Sequence, residues 1–241
     1  VARKRFVEAL AATVHRALVG PVAGLDPSTA REPAHPARLR RSIPDLSPPA
    51  GRRELSVQGE RMRARIVEAG VATFPVLGFH DTRVDDVVAA AGASHGSFYR
   101  YFGSKEDLFR VIAIEAAEKL IGCIDAFPGG DDPAALHAWL DTWFGIYAEH
   151  GGIIALWRET QFPDPALEDL TRRVADVALG RLLQALGERA VGDPLVDAMA
   201  FLGLVETMPH HVHAFGYFTQ SEAVEALVAV IRRAFLGLDA A

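Results

Sequence analysis

Cysteine is almost missing from this chain: 241 residues contain one, Cys123. A single thiol closes no internal disulfide. With no second cysteine and no histidine nearby at ligand spacing, it forms no zinc site either, so Cys123 is expected to be a small core residue. Long apolar runs are also lacking. No stretch approaches the roughly 18 uninterrupted apolar residues of a membrane-spanning helix, and the basic start has no continuous apolar segment followed by a small-residue cleavage site. The expected location is the cytoplasm, with no membrane partner. A phosphate-cradling Gly-x-x-x-x-Gly-Lys loop and a His-Glu-x-x-His helix are likewise absent, and no Ser, His and Asp set has a geometry the sequence supports, so no enzyme is expected.

What is present is the composition of a globular protein. Hydrophobic residues make up 50% of the chain and charged residues 23%, enough apolar material for one large core or two smaller ones and too little charge for a disordered polymer. The charge is unevenly placed. Through Leu108 there are 16 Lys or Arg against 12 Asp or Glu, and from Phe109 onward 9 against 19. A polyanion is therefore drawn to the N-terminal part and repelled by the rest, although a merely solvated acidic surface carries the same charge.

Residues 1–55 read as an extension. Phe6, Leu10, Val14 and Leu18 recur at i+4 and suggest an amphipathic helix over about 3–19, after which Pro21, Pro27, Pro33, Pro36, Pro44, Pro48 and Pro49 argue for an extended linker. Arg38, Arg40, Arg41, Arg52 and Arg53 are candidates for a minor-groove or phosphate-touching arm; the alternatives are a solvated tail or a stretch upstream of the true start.

The most specific pattern runs from Thr82 to Leu108. A short helix from about Arg83 to Ala91, with Thr82 as N-cap and Val84, Val87 and Val88 on its buried side, ends at Gly92, which allows a sharp turn. Ser94 then caps a second helix, His95 to about Phe102. Phe98 and Phe102, four apart, share the face expected to pack on the preceding helix, leaving His95 with Tyr99 and Ser97 with Tyr101 to face a DNA groove. Gly103 fits the end of that helix, and Ser104 with Asp107 makes a capping-box-like start for the next. Lys105 at that start reads as a phosphate clamp.

Gly78-Phe79, Thr82, Val84, Val87, Ala91-Gly92, Ser94, Gly96, Phe98-Tyr99, Tyr101-Phe102, Ser104-Lys105-Glu106 and Leu108 together closely resemble the DNA-binding domain of the TetR family of bacterial transcriptional regulators, over about residues 61–110. The sequence departs from the common pattern at Arg83, Ala93 and Pro75, the last suggesting a helix that ends or kinks near Phe74. The resemblance implies an all-α protein with a three-helix helix-turn-helix domain at 56–110 and a helical effector-binding and dimerisation domain at 111–241. Candidate DNA contacts are Thr82, Arg83, Ser94, His95, Ser97, Tyr99, Arg100, Tyr101 and Lys105. Further implied are a homodimer on an inverted-repeat operator in double-stranded DNA and a ligand-released repressor; an activator carries the same signature. The competing class is a helical protein-binding adaptor without DNA activity.

Beyond Leu108 the pattern is helical throughout. Asp132-Pro133, Asp164-Pro165 and Asp193-Pro194 each set a capping carboxylate before a proline at the first helical position. The expected helices are about 105–124, 133–150, 153–162, 165–190, 194–213 with a break at Pro209, and 221–236. Trp139, Trp143 and Tyr147 follow one another at i+4, which calls for a dense core or a cavity. The candidate binding set for a small apolar or amphipathic effector is Trp139, Trp143, Phe144, Tyr147, Trp157, Phe162 and Phe201, with His137, Arg158, Glu159, Gln161 and Glu206 as possible head-group partners. Leu202, Val205, Leu227, Val230 and Ile231 are candidate dimer contacts. Glu206 and His210 stand at the i, i+4 spacing of ligands on a helix, but Pro209 interrupts that turn and no Asp-rich or Cys partner lies close to His210, His211 and His213, so no metal or other cofactor is expected, and interface contacts are the alternative role.

Overall fold

The computed structural model describes residues 11–14, 55–158, 165–186, 192–216 and 218–238. Among the described residues all regular structure is helical, as expected. The helices are α1 (Val57–Leu77), α2 (Val84–Ala91), α3 (His95–Tyr101), α4 (Lys105–Asp125), α5 (Pro133–Arg158), α6 (Pro165–Leu186), α7 (Pro194–His210), a π-helical turn (His211–Phe215) and α8 (Gln220–Phe235). Described residues within 43–119 and 149–172 form one compact unit, and those within 1–42, 120–148 and 173–241 a second. Helices α4, α5 and α6 each contribute turns to both. None of the described helices is long and apolar enough to cross a membrane.

In the first unit, Ser56 caps α1 by accepting from Gly59 N at 3.2 Å; α1 packs on α2 and α3 and buries Ile66, Val67, Ala69, Gly70 and Phe74, with Gly70 facing Leu108 and Ile112 of α4. Phe74, Phe79 and Phe109 close the core, with ring centroids 5.8, 5.2 and 5.1 Å apart. Pro75 does not end α1 at Phe74; the helix continues to Leu77. A proline so near a C-terminus removes one hydrogen bond without a following stretch of helix to disrupt.

Residues 133–158 form one helix where the sequence suggests two, separated at Gly151-Gly152. Glycine in a helix interior costs about 1 kcal/mol, yet packing requires it here: a Cβ on Gly152 would lie 2.5 Å from the Pro75 ring. Tertiary contact overrides local propensity. The break expected at Pro209 is also displaced, because α7 runs to His210 and passes directly into the π-helical turn.

The core of the second unit is built on tryptophan. Trp139 and Trp143 are stacked at 5.7 Å, and Trp139 Nε1 donates to Cys123 O at 2.7 Å in the last turn of α4, a carbonyl that also accepts from Ala126 N at 3.1 Å. Trp143 Nε1 donates to Val205 O at 2.8 Å. That carbonyl is the one Pro209, four residues on and without an N–H, leaves unpaired, so the indole replaces the missing helical donor. Cys123 is buried in this core, and burial pushes its thiol up to about 11, consistent with a packing role.

Residues 11–14 are helical and belong to this second unit. Thr13 Oγ1 donates to Asp197 Oδ1 at 2.6 Å, and the buried carboxylate also accepts from Gly192 N at 3.0 Å. The N-terminal extension thus supplies one of the partners of a buried charge. Thr13→Val is expected to lower unfolding stability by about 1.5–3 kcal/mol, the cost of removing a hydrogen bond to a buried charged group. A thermal-melt comparison checks it; an unchanged midpoint would show that Thr13 contributes nothing.

Candidate nucleic-acid interface

The turn between α2 and α3 is built around Gly92, whose φ of 58° and ψ of 39° place it in the left-handed region that a side chain disfavours. Arg65 from α1 donates through Nη2 to Ala91 O at this turn. Ser94 caps α3, its Oγ accepting from Ser97 N at 3.1 Å and lying 3.1 Å from Ser97 Oγ. The letters Gly92-Ala93-Ser94-His95-Gly96 match a Gly-x-Ser-x-Gly nucleophile elbow. An elbow joins a strand to a helix, whereas this serine joins two helices and its hydroxyl serves as a cap.

Helix α3 is anchored on its inner side by Phe98 and Tyr101, with Phe102 at its cap, all buried. His95, Gly96, Tyr99 and Arg100 are exposed and form an outward ridge, Tyr99 being 57% exposed. His95 Nε2 lies 2.5 Å from Asp85 Oδ1 of α2, which ties the start of α3 to its neighbour. Arg83, at the N-cap position of α2, is exposed, and its N–H donates to Asp86 Oδ2 at 2.8 Å.

Three of the expected DNA contacts are placed differently. Thr82 is not the N-cap of α2 but is fully buried, its Oγ1 donating to Gly78 O at 2.6 Å. Tyr101 is buried instead of facing outward, because α1 covers it: its hydroxyl lies 3.5 Å from where a Cβ on Gly59 would stand. Lys105 is not an outward phosphate clamp. Its Nζ donates to the carbonyls of Phe79, His80 and Thr82 at 2.8, 2.9 and 2.8 Å and sits 4.8 Å from the Phe79 ring centre. All three ammonium hydrogens are engaged, and the side chain is a clasp on the loop between α1 and α2. Its function and that of Arg65 were hidden because both act on backbone carbonyls, which leave no mark in sequence.

The basic excess also needs reassignment. Residues 55–108 contain Arg61, Arg63, Arg65, Arg83, Arg100 and Lys105 against Glu60, Glu68, Asp81, Asp85, Asp86, Glu106 and Asp107. The surplus of basic charge before Phe109 therefore belongs to residues 1–54.

Among the effector candidates, Trp139, Trp143, Phe144, Tyr147, Trp157 and Phe201 are all buried, while Phe162, Glu159, Gln161 and the linker arginines lie outside the described residues. Of the interface candidates, Leu202 and Val230 are half-buried, but Val205, Leu227 and Ile231 are buried inside their own chain and offer no surface to a partner. Periodicity located the apolar faces of α7 and α8 without telling which packs inward. Met199 on α7 is exposed instead. His210 and His211 rest against the Phe215 ring at 5.3 and 5.6 Å, and no group of three or more potential ligands among the described residues could hold a metal.

A left-handed glycine turn between two short helices, a serine cap and an exposed ridge on a buried aromatic base define a helix-turn-helix protein. Residues 66–112 match the family model of bacterial regulatory proteins, tetR family. The chain is 28% identical over 158 residues to the HTH-type transcriptional repressor SCO4008 of Streptomyces coelicolor, a match spanning 62% of this chain and 77% of the relative. A TetR-like transcriptional regulator from Rhodococcus sp. RHA1 shares the fold with a TM-score of 0.58 and 24% identity, over 75% of this chain and 97% of the other. The fatty acid degradation regulator FadR from Bacillus halodurans does so at 0.57 and 17%, over 73% and 95%. Residues 66–112 are thus similar to the DNA-binding domain of tetR-family regulators, and the chain shares the helical fold of solved structures of such regulators.

Proposed function

We propose that the protein is a repressor that binds an inverted-repeat operator as a homodimer and is released by a small apolar or amphipathic molecule. The observation that carries the DNA-reading part is the α3 ridge of His95, Gly96, Tyr99 and Arg100, outward-facing while Phe98, Tyr101 and Phe102 hold the helix from beneath. Gly96 lets backbone approach a groove, and Tyr99 and Arg100 supply a hydroxyl and a guanidinium for base edges or phosphates. Seven residues of helix read few base pairs, so two readers related by two-fold symmetry are needed, about 34–36 Å or a multiple apart. Half-buried Leu202 and Val230 and exposed Met199 remain candidates for the joining surface. Release by a ligand requires a differential affinity for free and DNA-bound forms, about 1–3 kcal/mol of coupling. The repressor sign is favoured by the name of the Streptomyces relative.

Tyr99→Ala tests the ridge, since an exposed side chain can be removed with little effect on folding. Operator affinity is expected to fall by about 1–3 kcal/mol while affinity for scrambled DNA changes less. Fluorescence anisotropy on both DNAs checks it. Equal losses on the two would assign Tyr99 to phosphate contact.

A further inference from the structure

Residues 55–108 carry six Lys or Arg against seven Asp or Glu, so the charge they show a polyanion is finely balanced. One proton matters here. The side chains of Asp85 and His95 are 71% and 56% exposed, and His95 Nε2 lies 2.5 Å from Asp85 Oδ1, which sets a carboxylate against the α3 ridge. So exposed a pair stabilises the free protein little, because water screens it. Its effect is felt when a duplex displaces that water and brings phosphate close.

Among the described residues, Asp85 is the charged group in contact with His95. The neighbouring groups have other engagements. On α3 the Tyr99 ring lies 6.4 Å from the imidazole, centre to centre, and Arg100 is exposed further along the ridge. On α2, Asp86 Oδ2 accepts from Arg83 N at 2.8 Å, while from α1 Arg65 reaches Ala91 O and Arg63 lies 5.7 Å from the Phe102 ring centre. His80, the other histidine of this stretch, packs on the Phe79 ring at 5.5 Å. At the separation between His95 and Asp85 two lone pairs would repel, so Nε2 carries a hydrogen. Nδ1 is then an acceptor while the ring is neutral and a donor once it is charged, a change that histidine makes between about pH 5 and 8.

We propose that Asp85 and His95 form a proton switch on the reading face: binding a duplex takes up a proton from the buffer at His95, whose Nδ1–H then donates to a hydrogen-bond acceptor of the DNA, a phosphate oxygen or a base edge. The inference rests on the reading of DNA by the α3 ridge and adds its control by pH. With the ring neutral, Asp85 stands beside phosphate as an uncompensated carboxylate and Nδ1 meets the duplex with a lone pair. Protonation reverses both, since the imidazolium offsets the carboxylate and offers a hydrogen. The DNA-bound form therefore holds more protons than the free form, so binding strengthens as pH falls and weakens as it rises.

The test is fluorescence anisotropy of the full chain from about pH 6 to 8 at fixed ionic strength, on a duplex selected from a randomised library and on a scrambled duplex. Wild type is expected to bind about tenfold more tightly at the acidic end, with up to one proton taken up per protomer. His95→Gln, which cannot be charged, is expected to lose most of that slope and stay near the weaker affinity. His95→Arg, a fixed cation, is expected to stay near the tighter one throughout. Asp85→Asn is expected to bind more tightly than wild type at the alkaline end, because it removes the opposing charge. A slope on both duplexes assigns the acceptor to phosphate, and a slope on the selected duplex alone assigns it to a base edge; either supports the switch. A His95→Gln slope equal to that of wild type, or an Asp85→Asn protein that binds no more tightly at the alkaline end, overturns the switch and leaves DNA reading in place. No binding of either duplex by wild type at any pH overturns the reading by α3 itself, and the switch with it.

Discussion

Trp143→Ala is expected to destabilise the protein by about 3–5 kcal/mol, a large share of the total stability of a domain. Three losses coincide at this position. The side chain is 1% exposed, so its removal leaves a cavity in a core that cannot fully collapse. Its stacking on Trp139 and its contact with Tyr147, at 5.7 and 5.6 Å, are lost as well. Finally, Val205 O loses the indole donor that stands in for the N–H Pro209 lacks. Trp143→Phe separates these terms: most of the bulk is retained and the orphaned carbonyl alone should cost about 1–3 kcal/mol. Urea unfolding of both variants is the check. A Trp143→Ala protein as stable as wild type but unable to bind a ligand would mean that this tryptophan lines a cavity and does not hold up the core.

Lys105→Met is expected to abolish operator binding through loss of structure in the reader, at a cost of about 2–3 kcal/mol in stability. Its ammonium ties three carbonyls of the loop between α1 and α2 to the start of α4. Without it those carbonyls lose their partners, and Thr82, which follows the loop into α2, loses its support. Lys105→Arg should fail as well, because a planar guanidinium cannot direct three hydrogens at three converging carbonyls. The contrast is informative. A lysine that touches only phosphate would tolerate arginine and would leave the melting point of the free protein unchanged, so a stable Lys105→Arg variant with near-normal DNA affinity would restore the clamp.

These two positions also show how far the sequence could be read. The glycine turn at 92, the Ser94 cap and the inward placement of Phe98 and Phe102 were legible because each depends on local backbone geometry or helical spacing. Tyr101 and Lys105 were not. Spacing alone does not say that α1 covers the far side of a seven-residue helix, nor that three loop carbonyls converge on one ammonium. The same holds for the tryptophans: the i+4 row was plain, but the carbonyl that Trp143 satisfies lies 62 residues away. Gly151-Gly152 looked like a helix end because local propensity was the only information available. The reason the helix continues is a proline ring from α1. For α7 and α8, periodicity marked the apolar stripes correctly yet could not separate an intrachain core from a surface, so Val205, Leu227 and Ile231 were read as interface residues.

The central claim is that the α3 ridge reads DNA, and selection from a randomised double-stranded library tests it most directly. The wild-type chain is expected to enrich an inverted repeat whose half-sites lie one helical turn or a multiple apart, and Tyr99→Ala, folded to the same melting temperature, is expected to lose that preference. Failure of the wild-type protein to enrich any sequence, or an unchanged motif from Tyr99→Ala together with Arg100→Ala, would contradict it.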